Sequence, residues 1–387
     1  MIRTYGPVLV VALITTWAST FGWRAYASRR AFLRVEPDER RIHERTTPTG
    51  GGAAMWLAFL VAMAVAWRLP RLHEVFAGNT EPVGVVLGAT VLFAVGLLDD
   101  IRDVSPPAKL AGTVLGASIM ASQGVQMLYF RVPFWDTVVL DQSTGFLITV
   151  IWVVLVTEAV NLIDGLDGLA AGVALIAGFA FFLYSNRQVD AGLLTGDSMG
   201  PLLAVVVVGV CLGFLPHNFN PAKVFMGDAG ALFLGLLLAT STLVVGGRTG
   251  VEFTGQTFFF FAPIFIPFVI LGVPLLDTAF AFLRRVVQRR GIAVADKEHL
   301  HHRLVRLGHG HRRAVLILWA WTAVLATLVL VPTYARGANG LVLPGLLALG
   351  VILYTVLHPE VRAGRKLAPE PPVTSGPAGP AEVRKQA

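Results

Sequence analysis

The sequence is poor in charge and almost without cysteine. Asp, Glu, Lys and Arg make up only 14% of its 387 residues, against 55% hydrophobic ones, and the mean hydropathy is +0.68. An ordinary soluble domain carries roughly a quarter charged residues, so the scarcity of charge excludes that class and points to a polytopic membrane protein. The lone Cys211 excludes an internal disulfide, and its place inside an apolar run makes it a small core residue. The first apolar run has no basic start beyond Arg3 and no clear small-residue cleavage site, so it reads as a retained span rather than a signal peptide. No internal repeat is visible.

What the chain has instead is a series of apolar runs, each of a length that crosses a bilayer as helix. Eleven can be drawn: 6–23, 50–67, 82–98, 109–129, 146–162, 168–184, 200–216, 230–245, 258–282, 314–331 and 341–357. The polar connections then alternate sides, and 24 of the 31 Lys and Arg residues fall in the connections of one set or, for Lys109, at the edge of one. By the positive-inside rule that set is cytoplasmic, which predicts an outside N-terminus and a cytoplasmic C-terminus. In this topology the net charge of +7 reflects loop lysines and arginines that orient the chain and meet anionic headgroups, so no nucleic-acid partner is implied. The expected organisation is one all-α transmembrane domain over 1–358, a cytoplasmic His/Arg loop at 284–313 within it, and a disordered Pro/Gly/Ala-rich tail at 359–387.

Carboxylates stand where such a chain should have few. Asp99 and Asp100, Asp164 and Asp167, Asp228, and Asp277 each lie near the end of an apolar run, and the topology delivers them to the cytoplasmic face. Acids at a membrane edge read as functional by default. Two adjacent acids at a helix end cannot share one face, so one of Asp99 and Asp100 can reach a cation while the other is solvated or paired, with Lys109 available as a partner or phosphate contact. Asn161, Asp164 and Asp167 recur at intervals of three, on neighbouring faces of a helix end. They form an oxygen cluster of the kind Mg²⁺ accepts together with substrate phosphates, or else an Asp-capped terminus. Asp228, ahead of the next run in Asn220-Pro-Ala-Lys-Val-Phe225-Met-Gly-Asp228, reads equally as a helix N-cap. Arg45-Thr-Thr-Pro-Thr-Gly50-Gly-Gly52 closes a basic loop and opens the second span, its glycines allowing close backbone approach to a neighbour or a phosphate, or else marking a plain loop-to-helix entry.

The last motif is Asp296-Lys-Glu-His299-Leu-His301-His302-Arg303-Leu304. As a helix it would align His299, His302, Arg303 and Arg306 in a cationic stripe suited to a diphosphate. Zinc is the rival reading of clustered histidines, but no cysteine lies nearby and neither H-E-x-x-H nor H-x-x-E-H occurs.

Together, Leu98-Asp99-Asp100, Asn161-Leu-Ile-Asp164-Gly-Leu-Asp167-Gly-Leu-Ala, Val224-Phe-Met-Gly-Asp228 and His299-Leu-His-His-Arg-Leu304 resemble the polyprenyl-phosphate N-acetylhexosamine-1-phosphate transferase family, over about 45–307. The resemblance implies a multi-pass plasma-membrane enzyme, active at its cytoplasmic face, in which a polyprenyl phosphate attacks the β-phosphorus of a UDP-amino sugar and UMP is released. It implies Mg²⁺, with Mn²⁺ as a substitute, and a homodimer. It also implies roles: Asp228 as metal ligand, Asp164 orienting the metal or diphosphate, and Asp99 and Asp100 serving the lipid phosphate. Asn161, Asp167, Asn220, Phe225, His299, His301, His302 and Arg303 would bind substrate, and Lys109 would neutralise charge beside the acid pair. The His-Leu-His-His-Arg-Leu form is similar to the branch that uses UDP-N-acetylglucosamine. The lipid I branch, which uses a UDP-muramoyl-pentapeptide, is the alternative. One position departs from the family pattern: Glu158 stands where an Asn is usual.

Phosphates that repel each other and the aspartates need a divalent ion and a basic stripe to hold them together. A phosphate monoester is already mostly dianionic at pH 7, so Asp99 gains little as a base and matters for positioning. Direct attack and a carboxylate nucleophile with a phospho-enzyme both remain open. A transporter using the acids for ion coupling is the reading from another class. It normally places them at the midplane within broken helices, whereas here they gather at one face.

Overall fold

The computed structural model describes residues 2–29, 34–35, 47–131, 137–192, 194, 198–246, 269, 271–287, 304–305, 309–334 and 342–357. Within them the chain is mostly helical: α1 (Ile2–Ala27), α2 (Gly52–Arg68), α3 (His73–Phe76), α4 (Glu81–Arg102), α5 (Pro106–Ser122), α6 (Gln142–Ile163), α7 (Leu169–Asp190), α8 (Met199–Asn218), α9 (Gly227–Gly246), α10 (Gly272–Val287), α11 (Gly310–Tyr334) and α12 (Val342–Leu357). Seven of these are long and apolar enough to cross a membrane: α1, α4, α6, α7, α8, α9 and α11. The protein is therefore a multi-pass membrane protein. An eighth span exists if α2 is counted with the short helical segment that follows it across a 94° bend.

The ends of the helices follow local chemistry. Proline occupies the first turn of α4 and of α5, where its missing N–H has no partner to lose. Asp141 caps α6 by accepting from the N–H groups of Ser143 and Thr144, and Ser198 caps α8 through Gly200. The expected span 109–129 is corrected at both ends. Its helix begins at Pro106 and stops at Ser122, because Gly124 turns the chain in the left-handed region (φ 101°). Tyr129–Arg131 instead pairs antiparallel with Thr137–Val139. A second small ladder joins Arg34–Val35 to Thr47–Pro48, so the described residues hold two short antiparallel ladders beside the helices. The expected span 258–282 lies largely outside the described residues, as do most of the 284–313 loop and the 359–387 tail.

α9 is the axis of the bundle. Of its span, 94% is buried within the protein, against 22% for α1, and its sequence is apolar on every side, as a central helix requires. It packs against α4, α6 and α8, while α1 lies outside against α2 and α8. Close helix approach rests on small residues: a Cβ at Gly209 or Gly213 of α8 would enter α1 at Ala12 or Leu13. The core thus brings the ends of α4, α5, α6 and α9 to one place.

Candidate active site

The last turn of α4 carries Asp99 and Asp100, and the structure gives the two carboxylates different partners. Asp99 accepts from the Val104 N–H at 2.6 Å, which fixes the turn into α5, and from the Lys109 ammonium at 3.1 Å. The same ammonium is ion-paired with Asp228. Lys109, in the first turns of α5, therefore bridges acids 129 positions apart, and all three side chains are half-buried or less exposed.

Asp100 turns the other way. It accepts from the N–H groups of Asp228 (2.9 Å) and Ala229 (3.2 Å), the opening turn of α9, and from the Thr49 hydroxyl. A helix N-terminus carries unpaired N–H groups and partial positive charge, so Asp100 serves as a cap supplied by another helix. The N-cap reading of Asp228 is thus corrected: Asp228 lies inside the first turn, and Asp100 does the capping. Gly227 has a left-handed φ of 69°, and a Cβ there would run into the Asp100 carboxylate. Only glycine fits this corner.

The glycine-rich segment before α2 is a backbone clamp. Phe225 N–H donates to the Pro48 carbonyl (2.8 Å), while Gly51 and Gly52 N–H donate to the Phe225 and Met226 carbonyls (both 2.9 Å). The amides of Gly51 and Gly52 are thereby spent on the chain itself, which favours the loop-to-helix reading over phosphate contact.

The second acid pair divides in the same way. Buried Asp167 accepts from the Asn220 amide and the Ala222 N–H, both at 2.9 Å, and so holds the loop that leads to Asp228. Asn220 is gripped from its other side by Arg312, whose Nε donates to its backbone and side-chain oxygens. Asp164, just past the end of α6, has no hydrogen-bond donor or ion-pair partner among the described residues. Burial, with the charges of Asp100 and Asp167 adding to it, pushes the Asp164 carboxyl up to about 7. Asn161 lies one turn earlier, half-buried, and its carbonyl takes the Asp164 N–H at 3.2 Å. Glu158, a further turn back, lies in the electrostatic field of Lys109 and Asp99.

Asp99, Lys109 and Asp228 thus meet directly, Asp100 is bound to the same turn of α9, and Asp164 lies within the field of Asp100. Asn220 and Phe225 are fixed in the loop that enters α9. Asp277 is buried in α10. His299, His301, His302 and Arg303 lie outside the described residues. Sequence reasoning missed Asn218. It is buried, its Oδ1 accepts from Gly168 N–H (3.1 Å), and its Nδ2 donates to the Val224 carbonyl (3.0 Å). It thereby ties the α6–α7 turn to the segment before Asp228. The signal for it was an amide at the end of an apolar run, beside Asn220. Arg312 was missed because its partner is 92 positions away.

Residues 82–246, which carry all of these acids except Asp277, match the model of glycosyl transferase family 4. The decaprenyl-phosphate N-acetylglucosaminephosphotransferase of Mycobacterium tuberculosis is 37% identical over 84% of this chain and 81% of its own. The chain belongs to glycosyl transferase family 4. The enzyme of the same name from Mycolicibacterium smegmatis is 35% identical over 94% of this chain and 90% of its own. A Bacillus subtilis protein named "Probable undecaprenyl-phosphate N-acetylglucosaminyl 1-phosphate transferase" is 36% identical over 73% of each. The matched stretch of this family-4 chain thus holds an ammonium shared between acids on α4 and α9 and, in the field of Asp100, an acid with no donor among the described residues.

Proposed function

We propose that the protein transfers N-acetylglucosamine-1-phosphate from UDP-N-acetylglucosamine to a polyprenyl phosphate, releasing UMP and forming the polyprenyl-diphosphate sugar. The observation that carries the reading is the Lys109 bridge between Asp99 and Asp228, in a chain whose relatives bear the names of such transferases. The topology that goes with it has eleven spans in one transmembrane domain over 1–358, the N-terminus outside, and the site on the cytoplasmic face of the plasma membrane. His299, His301, His302 and Arg303 would contact the donor's phosphates, and two copies assemble as a dimer.

The chain's own residues supply most of the positioning. Asp99 is held by Lys109 and the Val104 amide, and it orients Lys109 toward the lipid phosphate. Asp100 and Asp167 keep the first turn of α9 and its entry loop in place, so that Asp228 is presented at a fixed point. Asn161, Asn220 and Phe225 flank the donor. Mg²⁺, or Mn²⁺ in its stead, fits the donor set. It takes one or two carboxylates and completes its shell with water and substrate phosphates, and Asp164 offers a carboxylate to which no described donor is committed. Asp228 and Asp164 would hold the ion together with substrate phosphates and water, since no group of three or more His, Cys, Asp or Glu that could hold it alone gathers among the described residues. When bound, it neutralises the diphosphate charge that develops as the β-phosphorus is attacked.

The test is UMP release from purified protein in detergent with undecaprenyl phosphate and Mg²⁺. UDP-N-acetylglucosamine should be turned over and the UDP-muramoyl-pentapeptide should not, and Asp228→Asn should lower the rate by about 100-fold or more. Turnover of the pentapeptide would move the protein to lipid I synthesis. Release of UMP from neither donor would refute the transferase reading.

A further inference from the structure

One cation beside the site has no role in the mechanism above. Arg312 stands in the first turn of α11, is exposed, and donates from its Nε to the Asn220 backbone carbonyl at 3.0 Å and to the Asn220 Oδ1 at 3.2 Å. The fold fixes it there. Trp319, two turns further along the same face of α11, lies 5.7 Å from the Phe219 ring and donates from its Nε1 to the Leu169 carbonyl at 3.4 Å. A Cβ at Gly172 would run into its indole. α11 is therefore seated on both the loop that leads to Asp228 and the start of α7.

This arrangement spends Asn220 and spares Arg312. The Asn220 Oδ1 accepts from Arg312 while its Nδ2 donates to Asp167 at 2.9 Å, so both ends of the amide are engaged. A guanidinium carries its N–H donors in a planar fork. With the Nε–H committed to Asn220, the edge formed by Nη1 and Nη2 remains, and no acceptor or carboxylate among the described residues meets it. Arg312 reaches Asp167 only through Asn220. The remaining edge matches two oxygens of a phosphate, which it can hold in parallel charge-assisted bonds. We propose that Arg312 binds a substrate phosphate through its Nη edge, with Asn220 as the positioning residue that holds the guanidinium for it. The inference rests on the transferase reading, in which donor and acceptor both carry phosphate. The donor's diphosphate is the expected source, since Lys109 is the cation already turned toward the lipid phosphate.

KM values for UDP-N-acetylglucosamine and for undecaprenyl phosphate, measured on the purified full-length protein in detergent with Mg²⁺, test this. Arg312→Met should raise the KM of one substrate roughly tenfold or more and leave the other within about twofold, with kcat little changed. A rise for the nucleotide places the fork on the donor, and a rise for the lipid places it on the acceptor. Arg312→Lys keeps the charge but cannot hold Asn220 and a phosphate at once, so it should recover only part of the loss. Asn220→Ala should raise the same KM by less, and the double variant should match Arg312→Met alone, because Asn220 acts through the guanidinium. Additive effects in the double variant would make Asn220 a direct contact and overturn its positioning role. Two unchanged KM values in Arg312→Met, with only the thermal midpoint lowered, would make Arg312 a loop anchor and overturn the proposal. A thermal midpoint on each sample checks folding, and Arg312→Lys carries the KM comparison where Arg312→Met fails that check. Wild-type UMP release on the same preparation reports separately on the transferase reading: its absence would refute that reading and this proposal with it, whereas turnover with KM values untouched by Arg312→Met would refute the proposal alone.

Discussion

The two acid pairs, Asp99 with Asp100 and Asp164 with Asp167, look alike in sequence and are used alike in the fold, each split between two tasks. One member of each pair is consumed by backbone and amide donors: Asp100 by the opening N–H groups of α9, Asp167 by Asn220 and Ala222. The other faces the site: Asp99 toward Lys109, Asp164 toward no described donor. The partners differ in reach: Asp100 and Asp167 each accept two bonds from segments distant in sequence, whereas Asp99 accepts from the nearby Val104 N–H and from Lys109. Asp100 and Asp167 also serve the same end, since one holds the turn that carries Asp228 and the other the loop that leads to it.

Breaking the scaffold half of the comparison should cost stability first. Asp100→Ala leaves two helix-terminal N–H groups and the Thr49 hydroxyl without their acceptor, and should lower unfolding free energy by roughly 2–4 kcal/mol, read as a fall in the thermal midpoint in detergent. Asp167→Ala removes the acceptor of two bonds at the entry loop and should cost roughly 2–3 kcal/mol in the same assay. Asn218→Ala, which unties the α6–α7 turn from Val224, sharpens the comparison with an uncharged group. It should cost roughly 1–2 kcal/mol, with a smaller effect on UMP release than either aspartate.

Much of the fold was legible because apolar runs of bilayer length have few alternatives: the runs drawn for α1, α4, α6, α8, α9 and α11 fall inside observed helices, and that for α7 starts one residue early. The run ending at Tyr129 was read too long because hydropathy does not register the turn at Gly124 or the hairpin beyond it. In the site, Asp99, Asp100, Asp164, Asp228 and Lys109 were all picked out as polar residues at the ends of apolar runs. Their division of labour was not legible. Which of two adjacent acids becomes a cap depends on where the N-terminus of α9 arrives, and that helix begins more than 120 residues later. The segment around Gly50 shows the same limit. Its glycines suggested a ligand, but the amides of Gly51 and Gly52 are engaged by the backbone of Phe225 and Met226, a pairing set by tertiary packing alone.

The most direct test of this division is to make Asp99→Ala and Asp100→Ala and to measure, on the same detergent samples, the thermal midpoint and the rate of UMP release at 4 °C, where both variants remain folded. The account predicts that Asp99→Ala, which gives up the Val104 N–H bond and one arm of the Lys109 bridge, lowers the midpoint less than Asp100→Ala does and loses about 100-fold or more in rate. Asp100→Ala should lose the midpoint while retaining most of its rate per folded molecule. A stable but inactive Asp100→Ala beside an unstable but active Asp99→Ala would contradict it.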